Sequence, residues 1–522
     1  MNTRIADRGG RLGAALHAGR ELLKNPRTIG AVTLAVLALG GFLRLNRYLF
    51  NRSLFLDEAY IASSVLSRDF AGLAEPLDYF QVAPVGWISA VKLATELFGM
   101  SERALRLVPL LSGLASLGLL YPLARQFLSP LGSLAACLFL AVSDPAIQWS
   151  VMVKPYSTDL LISLVFLLLA TRVSWRDLTA RSTVALACLG ALALWFSFPA
   201  AFVLAAVGGY GLVSSGAPSH RSRLVPLAVI GLVWAVSFAL LRSATLSHVF
   251  ENGFQFDAWG QYLVGLPRLD AQGITAQVDL LGEVFEDPLG LSPPGAGEVV
   301  FLLGLAAGLA AMPSQAALLL APVTLAYLAS VAGVYPFHGR LLLFSVPGFF
   351  IFIAGGLEQV FRKLKGLGWL AGAVLLFVLA FTPLRLGISR GLNPRPLEEV
   401  RPVTQHVLSN YRSGDAIYVY YGAEPTWKYY LNLAGAAGIQ YDAGGREREN
   451  PEKYAEEIAR YRGQARLWLV ISHVYSGGLG NEGTLILGAA RCLGTEIERY
   501  LQPGAQAYLY DMTRPSQDCQ GT

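Results

Sequence analysis

The sequence is poor in charge. Asp, Glu, Lys and Arg make up 15% of its 522 residues, 54% are hydrophobic, and mean hydropathy is +0.46. A soluble globular domain carries about 25% charged residues. A wholly water-soluble body is therefore excluded, and a polytopic membrane protein with some polar mass attached is expected. Cysteine and histidine are also scarce, at 4 and 6 residues. No H-x-x-x-H or C-x-x-C spacing occurs, which argues against a structural zinc site. Internal repeats and low-complexity runs are lacking. The net charge of +5 does not point to nucleic acid, because many basic residues sit in short loops between apolar runs, as membrane orientation demands.

The first apolar run spans about 29–50. It is long enough to cross a bilayer, which takes about 20 residues. It is too long for a signal-peptide core and lacks an obvious small-residue cleavage site, so it reads as an uncleaved signal anchor. Arg4, Arg8, Arg11, Arg20, Lys24 and Arg27 precede it and should keep the N-terminus in the cytoplasm. Further runs at about 104–124, 131–149, 157–172, 182–198, 199–214, 224–242, 299–313, 315–334, 340–357 and 367–387 bring the spans to about eleven. Alternation then puts Arg125, Arg172, Arg176, Arg181, Arg221, Arg223, Arg362, Lys363 and Lys365 in the cytoplasm, in accord with the charge rule. Arg44 and Arg47 break the pattern at the outer end of the first span. Either they snorkel to the interface or they hold something anionic near Asp57.

Three domains are expected: a basic cytoplasmic N-terminus over 1–28, a transmembrane domain over 29–387, and an extracytoplasmic domain over 388–522. The transmembrane domain carries two outer loops, 50–103 and 243–298. The first has the composition of interfacial helices. The second holds Asp257, Asp270, Asp279, Glu283, Glu286 and Asp287, and loops this long are usually functional or disordered. The tail alternates helix-like runs at 397–412, 425–434, 451–462 and 483–499 with strand-like runs at 416–421, 467–472 and 505–511. It reads as a small α/β domain with a mostly parallel sheet. Cys137 and Cys188 fall inside spans as small apolar packers. Cys492 and Cys519 fall in the tail, where an oxidising compartment permits a disulfide. Sequence alone leaves their pairing open. Gly478-Leu479-Gly480-Asn481-Glu482-Gly483 has the G-x-G-x-x-G spacing but does not follow a strand directly, so it reads as a Gly-rich turn rather than a dinucleotide site.

Chemistry is expected around Asp57-Glu58, just beyond the first span. Neighbours on a helix point in different directions, so one carboxylate can act as a base while the other makes a structural contact. The alternative is that the pair only caps an interfacial helix, where carboxylates complement the helix dipole. Gln81, Asp144, Lys154-Pro155-Tyr156 and His338-Gly339-Arg340 fall on the same predicted face. Ionisable groups at membrane level are costly and tend to mark functional sites. Arg340 and Lys154 would suit a phosphate, Arg through its bidentate fork and Lys as a point charge. Tyr60, Gln81, Trp87, Asp144 and His338 are expected along a substrate or acceptor groove.

Several of these segments resemble a known family. The Asp57-Glu58-Ala59 after the first span, the run Tyr79-Phe80-Gln81-Val82-Ala83-Pro84-Val85-Gly86-Trp87, the following Ser101-Glu102-Arg103-Ala104-Leu105-Arg106-Leu107, Lys154-Pro155-Tyr156, and Tyr335-Pro336 with Arg340 are similar to the membrane glycosyltransferases of the protein O-mannosyltransferase and aminoarabinose-transferase type, glycosyltransferase family 39. The resemblance covers about residues 30–360. The stretch Gly414-Asp415-Ala416-Ile417-Tyr418-Val419-Tyr420-Tyr421-Gly422 looks like the soluble domain of bacterial members. The resemblance implies the GT-C fold, a polyprenyl-phosphate sugar as donor, and inversion at the anomeric carbon. It gives Asp57 the role of base, Glu58 an assisting one, and Arg340, Lys154 and Tyr156 the donor phosphate. The chain departs from the aminoarabinose transferases at Gln81-Val82-Ala83-Pro84, where they carry Glu-Lys-Pro-Pro. Lipid A as acceptor and a metal at that place therefore do not follow, and nothing in the sequence supports a divalent metal.

The expectation is a transferase of the bacterial inner membrane. Its acceptor is a glycolipid, an envelope polysaccharide or a protein, the tail is periplasmic, and the bilayer rather than nucleic acid is its partner. Two alternatives stand beside it. A transporter or flippase of lipid-linked glycans would place polar groups near the bilayer midplane and often show matched halves. An O-antigen ligase or polymerase would take a diphosphate-linked donor.

Overall fold

The computed structural model describes residues 25–216, 221–246, 259–268, 270–291, 295–363, 365–477 and 480–514. Most of the basic N-terminus, Asp257, Gly478, Leu479 and Cys519 lie outside the described residues. Each apolar run expected to span is helical. Pro26–Phe50, Glu102–Ala124, Leu224–Thr245, Pro313–Val331, Gly339–Arg362 and Trp369–Leu392 are long and apolar enough to cross a membrane by length and composition. Pro130–Val142, Ala180–Phe196, Ala200–Ser214 and Ala296–Ala311 are shorter apolar helices, and Tyr156–Arg172 completes the set.

The expected run at 131–149 is two helices. The first, Pro130–Val142, stops at Ser143, and a short helix, Asp144–Trp149, begins there. The Ser143 hydroxyl accepts the Ala146 N–H at 3.3 Å, and Pro145 occupies the first turn, both helix-start signals. Arg44 holds the break. Its buried guanidinium donates to the carbonyls of Leu140 (3.0 Å) and Ala141 (3.3 Å), where a cation meets the negative end of a helix. Arg47 and Arg390 both ion-pair with Asp144. Arg44 and Arg47 are thus both engaged at this helix break.

The chain forms two compact units. The helical unit comprises Met1–Leu49, Val82–Ala90 and Arg106–Pro394. Its helices Ala296–Ala311 and Val346–Lys363 pack backbone to backbone. A Cβ on Gly304 would stand 1.8 Å from the Phe352 carbonyl oxygen, and one on Gly356 1.9 Å from that of Val300. Small residues of this kind let helices approach closely where lipid removes the hydrophobic drive between them.

The tail unit comprises Phe50–Gln81, Val91–Leu105 and Arg395–Thr522. This division differs from the boundaries read from the sequence: most of the 50–103 segment packs with the tail. Polar contacts explain it. The Leu54 N–H donates to the Tyr430 hydroxyl at 2.8 Å, and that hydroxyl donates to Glu102 at 2.9 Å. Ser53 donates to Glu399 at 2.7 Å, and Arg401 pairs with Glu102 at 2.7 Å. These donors and acceptors are buried or nearly so, and a buried polar group left unpaired is costly.

The tail sheet contains β1 (Ala416–Val419), β2 (Asp442–Ala443), β3 (Leu467–Ser472), β6 (Thr495–Gln502) and β7 (Ala505–Asp511) in the order β2-β1-β3-β7-β6. A separate ribbon pairs β4 (Ser476–Gly477) with β5 (Gly480–Asn481). β1 runs parallel to β2 and β3, whereas β7 is antiparallel to β3 and β6. The sheet is therefore mixed, not mostly parallel. The difference traces to β6. The helix expected over 483–499 ends at Leu493. Ile486, Ala490, Ile497 and Leu501 fall at spacings near the helical period and prolong the apparent stripe, but from Thr495 burial alternates with period two. Cys492 is disulfide-bonded.

Candidate functional site

In the tail unit, the helix Leu56–Ser67 opens with Asp57 and Glu58 in its first turn. The two carboxylates have separate fates. Glu58 is wholly buried, accepts the Phe55 N–H at 3.1 Å and pairs with Arg52 at 2.7 Å. Adjacent helical side chains diverge by about 100°, and Asp57 stays half-buried. Its charge acts on two named neighbours. Burial first, and then the Asp57 and Glu424 carboxylates, push the Tyr60 hydroxyl up to about 12, against the opposing pull of Arg446. His473 is raised chiefly by its 2.7 Å hydrogen bond with Glu398; burial opposes this, and the charges of Glu398 and Asp57 add to it. The His473 ring also meets Phe55 edge-on at 5.4 Å.

Tyrosines and carboxylates extend this neighbourhood. Tyr60 stacks on Tyr79 at 4.8 Å. Tyr79 and Tyr441 each donate to an oxygen of Glu424 at 3.0 Å. Arg448 lies 3.8 Å over the Tyr475 ring and donates to the Tyr421 hydroxyl at 2.9 Å. The backbone is strained here. Among the described residues, Asn51, Tyr79, Phe80 and His473 are the non-glycine residues with positive φ, at 51°, 55°, 54° and 52°, and all belong to this unit. Such conformations cost on the order of 1–3 kcal/mol each and gather at functional sites.

In the helical unit, Arg340 sits among three rings. Its guanidinium carbon is 5.2 Å from the Trp149 centroid, 5.3 Å from Trp259 and 5.7 Å from Tyr156. Trp149 and Tyr156 pack edge to face at 4.9 Å. Aromatic faces attract the cation and fix its plane, and a guanidinium fork matches phosphate geometry. Asp287 faces the same residues: burial raises its pKa, and the charges of His338 and Arg340 oppose this. Gly339 makes room for it. At φ +43°, a Cβ there would stand 2.6 Å from the Asp287 carboxylate. His338 stacks on Tyr262 at 4.0 Å, beside a cavity of about 450 Å³ that Tyr262, Gln277, Glu283 and His338 help to line.

The remaining expected residues are placed as follows. Lys154 is buried in the segment that leads to Tyr156. Asp144 is held by Arg47 and Arg390 as part of the helix break. Trp87 is wholly buried and presents no surface to a groove. Gln81 is half-buried in the loop after Tyr79 and Phe80. Among the described residues no three His, Cys, Asp or Glu side chains converge as metal ligands would. Sequence reasoning did not single out Trp149, Trp259, Asp287, His473, Glu398 or Arg448. The acidic content of 243–298 was the available signal for Asp287; for His473, more than 400 positions beyond Asp57, there was none.

Residues 83–241 match the family described as dolichyl-phosphate-mannose-protein mannosyltransferase. Among solved structures, the chain is similar to ArnT from Cupriavidus metallidurans in the apo state, at 14% identity and TM-score 0.53 over 92% of this chain and 97% of that one. The same protein bound to undecaprenyl phosphate gives 14% and 0.52 over 93% and 98%. The archaeal oligosaccharyltransferase AglB from Archaeoglobus fulgidus, in complex with an inhibitory peptide and a dolichol-phosphate, gives 12% and 0.52 over 93% and 74%. No curated protein sequence matches significantly. The chain is a polytopic membrane protein with the GT-C fold and a C-terminal α/β domain.

Proposed function

We propose that the chain is a glycosyltransferase that moves a sugar from a polyprenyl-phosphate carrier to an acceptor hydroxyl outside the cytoplasm. The observation that carries this reading is the separation of Asp57 from Glu58. Glu58 is committed to Arg52 and the helix start, while Asp57 stays half-buried beside Tyr60 and His473. The similarity to ArnT bound to undecaprenyl phosphate, and to AglB bound to dolichol-phosphate, supports a lipid-borne phosphate.

In this mechanism the acceptor oxygen attacks the anomeric carbon and the carbon–oxygen bond to phosphate breaks. The bonding pair leaves with the phosphate, and Asp57 takes the acceptor proton. Attack opposite the leaving group inverts the centre. Arg340 stabilises charge growing on the phosphate, with Lys154 and Tyr156 assisting. A positioned base contributes about 10²–10⁴-fold. The acceptor is a glycolipid or envelope polysaccharide. The protein acts in a bacterial inner membrane, N-terminus cytoplasmic and tail periplasmic.

The test is reconstitution with a polyprenyl-phosphate sugar and a membrane extract. Wild type should transfer sugar and Asp57→Asn should lose about 10²-fold or more. Undiminished transfer by Asp57→Asn removes the base assignment, and movement of intact lipid without bond cleavage identifies a transporter instead.

A further inference from the structure

The tail unit contains a cavity of about 580 Å³ that the transfer mechanism does not use. Glu398, His473, Asn481, Thr484 and Gln506 supply its polar lining, and Gly483 and Gly504 are also on its wall. Its volume falls in the range of small-ligand sites, about 300–1,000 Å³. Two of its polar groups are incompletely used. Glu398 spends Oε1 on His473, and Gln506 spends Oε1 on the Tyr508 hydroxyl. Among the described residues, Glu398 Oε2 and Gln506 Nε2 hold no hydrogen bond. One is an acceptor and the other a donor, the pair that neighbouring sugar hydroxyls satisfy together.

His473 ties this cavity to Asp57. It lines the cavity, its ring packs on Phe55 two residues before Asp57, and it holds a positive φ that keeps it at the end of β3. Two residues further on, Tyr475 is 41% exposed and stacked on Arg448. The two terminal nitrogens of Arg448 carry no hydrogen bond among the described residues. An exposed ring beside an unused fork suits the apolar face and ring hydroxyls of an adjoining sugar.

We propose that this cavity is a carbohydrate subsite in which Glu398 and Gln506 grip one sugar of the acceptor glycan while Tyr475 and Arg448 receive the next. The proposal deepens the transferase reading and rests on it, narrowing the acceptor to a glycan chain.

The test uses full-length protein in nanodiscs without donor, titrated with maltose, lactose and mannobiose and, separately, with a Ser/Thr-rich peptide. Binding is read by saturation-transfer NMR and by fluorescence of Tyr475→Trp. At least one disaccharide should bind saturably, and Glu398→Gln and Gln506→Leu should each weaken it about fivefold, as expected for one lost hydrogen bond. Thermal midpoints of both variants check that they fold, and the Tyr475→Trp reporter needs neither substitution. Absence of saturable sugar binding, wild-type affinity in both variants, or competition by the peptide alone overturns the proposal. Asp57→Asn should bind the sugar as wild type does, so a failed subsite and a failed base assignment give different results.

Discussion

Arg52 and Glu58 form an ion pair of 2.7 Å in which the carboxylate has no exposed surface. It anchors the start of the helix that bears Asp57. Removing one partner strands the other, a loss of about 3–5 kcal/mol for fully buried pairs; the 11% exposure of Arg52 puts this one at the low end. Glu58→Gln should therefore lower the melting temperature clearly, whereas Asp57→Asn should abolish transfer. A Glu58→Gln variant that melts like wild type would contradict the anchoring role.

Gly339 and Asp287 give a second prediction. The glycine has a left-handed backbone and the carboxylate fills the space a side chain would take. Gly339→Ala adds a left-handed cost of about 1–2 kcal/mol and displaces Asp287 from beside Arg340 and His338. Donor affinity, measured with undecaprenyl phosphate, should fall even where the protein still melts cooperatively. Asp287→Gly in the same background removes the clash and should recover stability; no recovery would mean that the backbone alone sets the effect.

Arg340 gives the third. A lysine keeps the charge but loses the planar stack on Trp149, Trp259 and Tyr156 and the bidentate fork. Each cation–π contact is worth about 0.5–2 kcal/mol. Arg340→Lys should weaken undecaprenyl-phosphate binding about tenfold, and Arg340→Gln more. A lysine variant that binds like wild type would show that only net charge matters.

The sequence made some of this legible and hid the rest for definable reasons. Apolar runs are local signals, so the helices fell where hydropathy placed them. The break at Ser143-Asp144 escaped because apolar residues continue on both sides of it. β6 was hidden by Ile497 and Leu501, whose spacing imitates a helix. Asp57 stood out because charge is rare beside a span. The partners that give Asp57 and Arg340 their settings come from distant segments: His473 and Glu398 for one, Trp149, Trp259 and Asp287 for the other. Periodicity carries no information about such meetings, and the split between Asp57 and Glu58 depends on Arg52, which in the sequence is one more basic residue near a span.

The pairing of His473 with Glu398 makes stability depend on pH. The folded-state pKa of His473 is raised, mainly by this hydrogen bond, with Asp57 adding and Arg448 opposing. A raised histidine stabilises the fold in full below its unfolded pKa of about 6.5 and loses that contribution as pH rises through the folded value. The ring is 40% exposed, so solvent screening keeps the effect modest. His473→Asn tolerates the left-handed backbone but cannot carry charge. Melting curves from about pH 5.5 to about pH 9 should show wild type more stable than the variant at the acid end, with the gap narrowing towards alkaline pH. A gap that stays constant would mean that the ring acts through its packing on Phe55 and not through its charge.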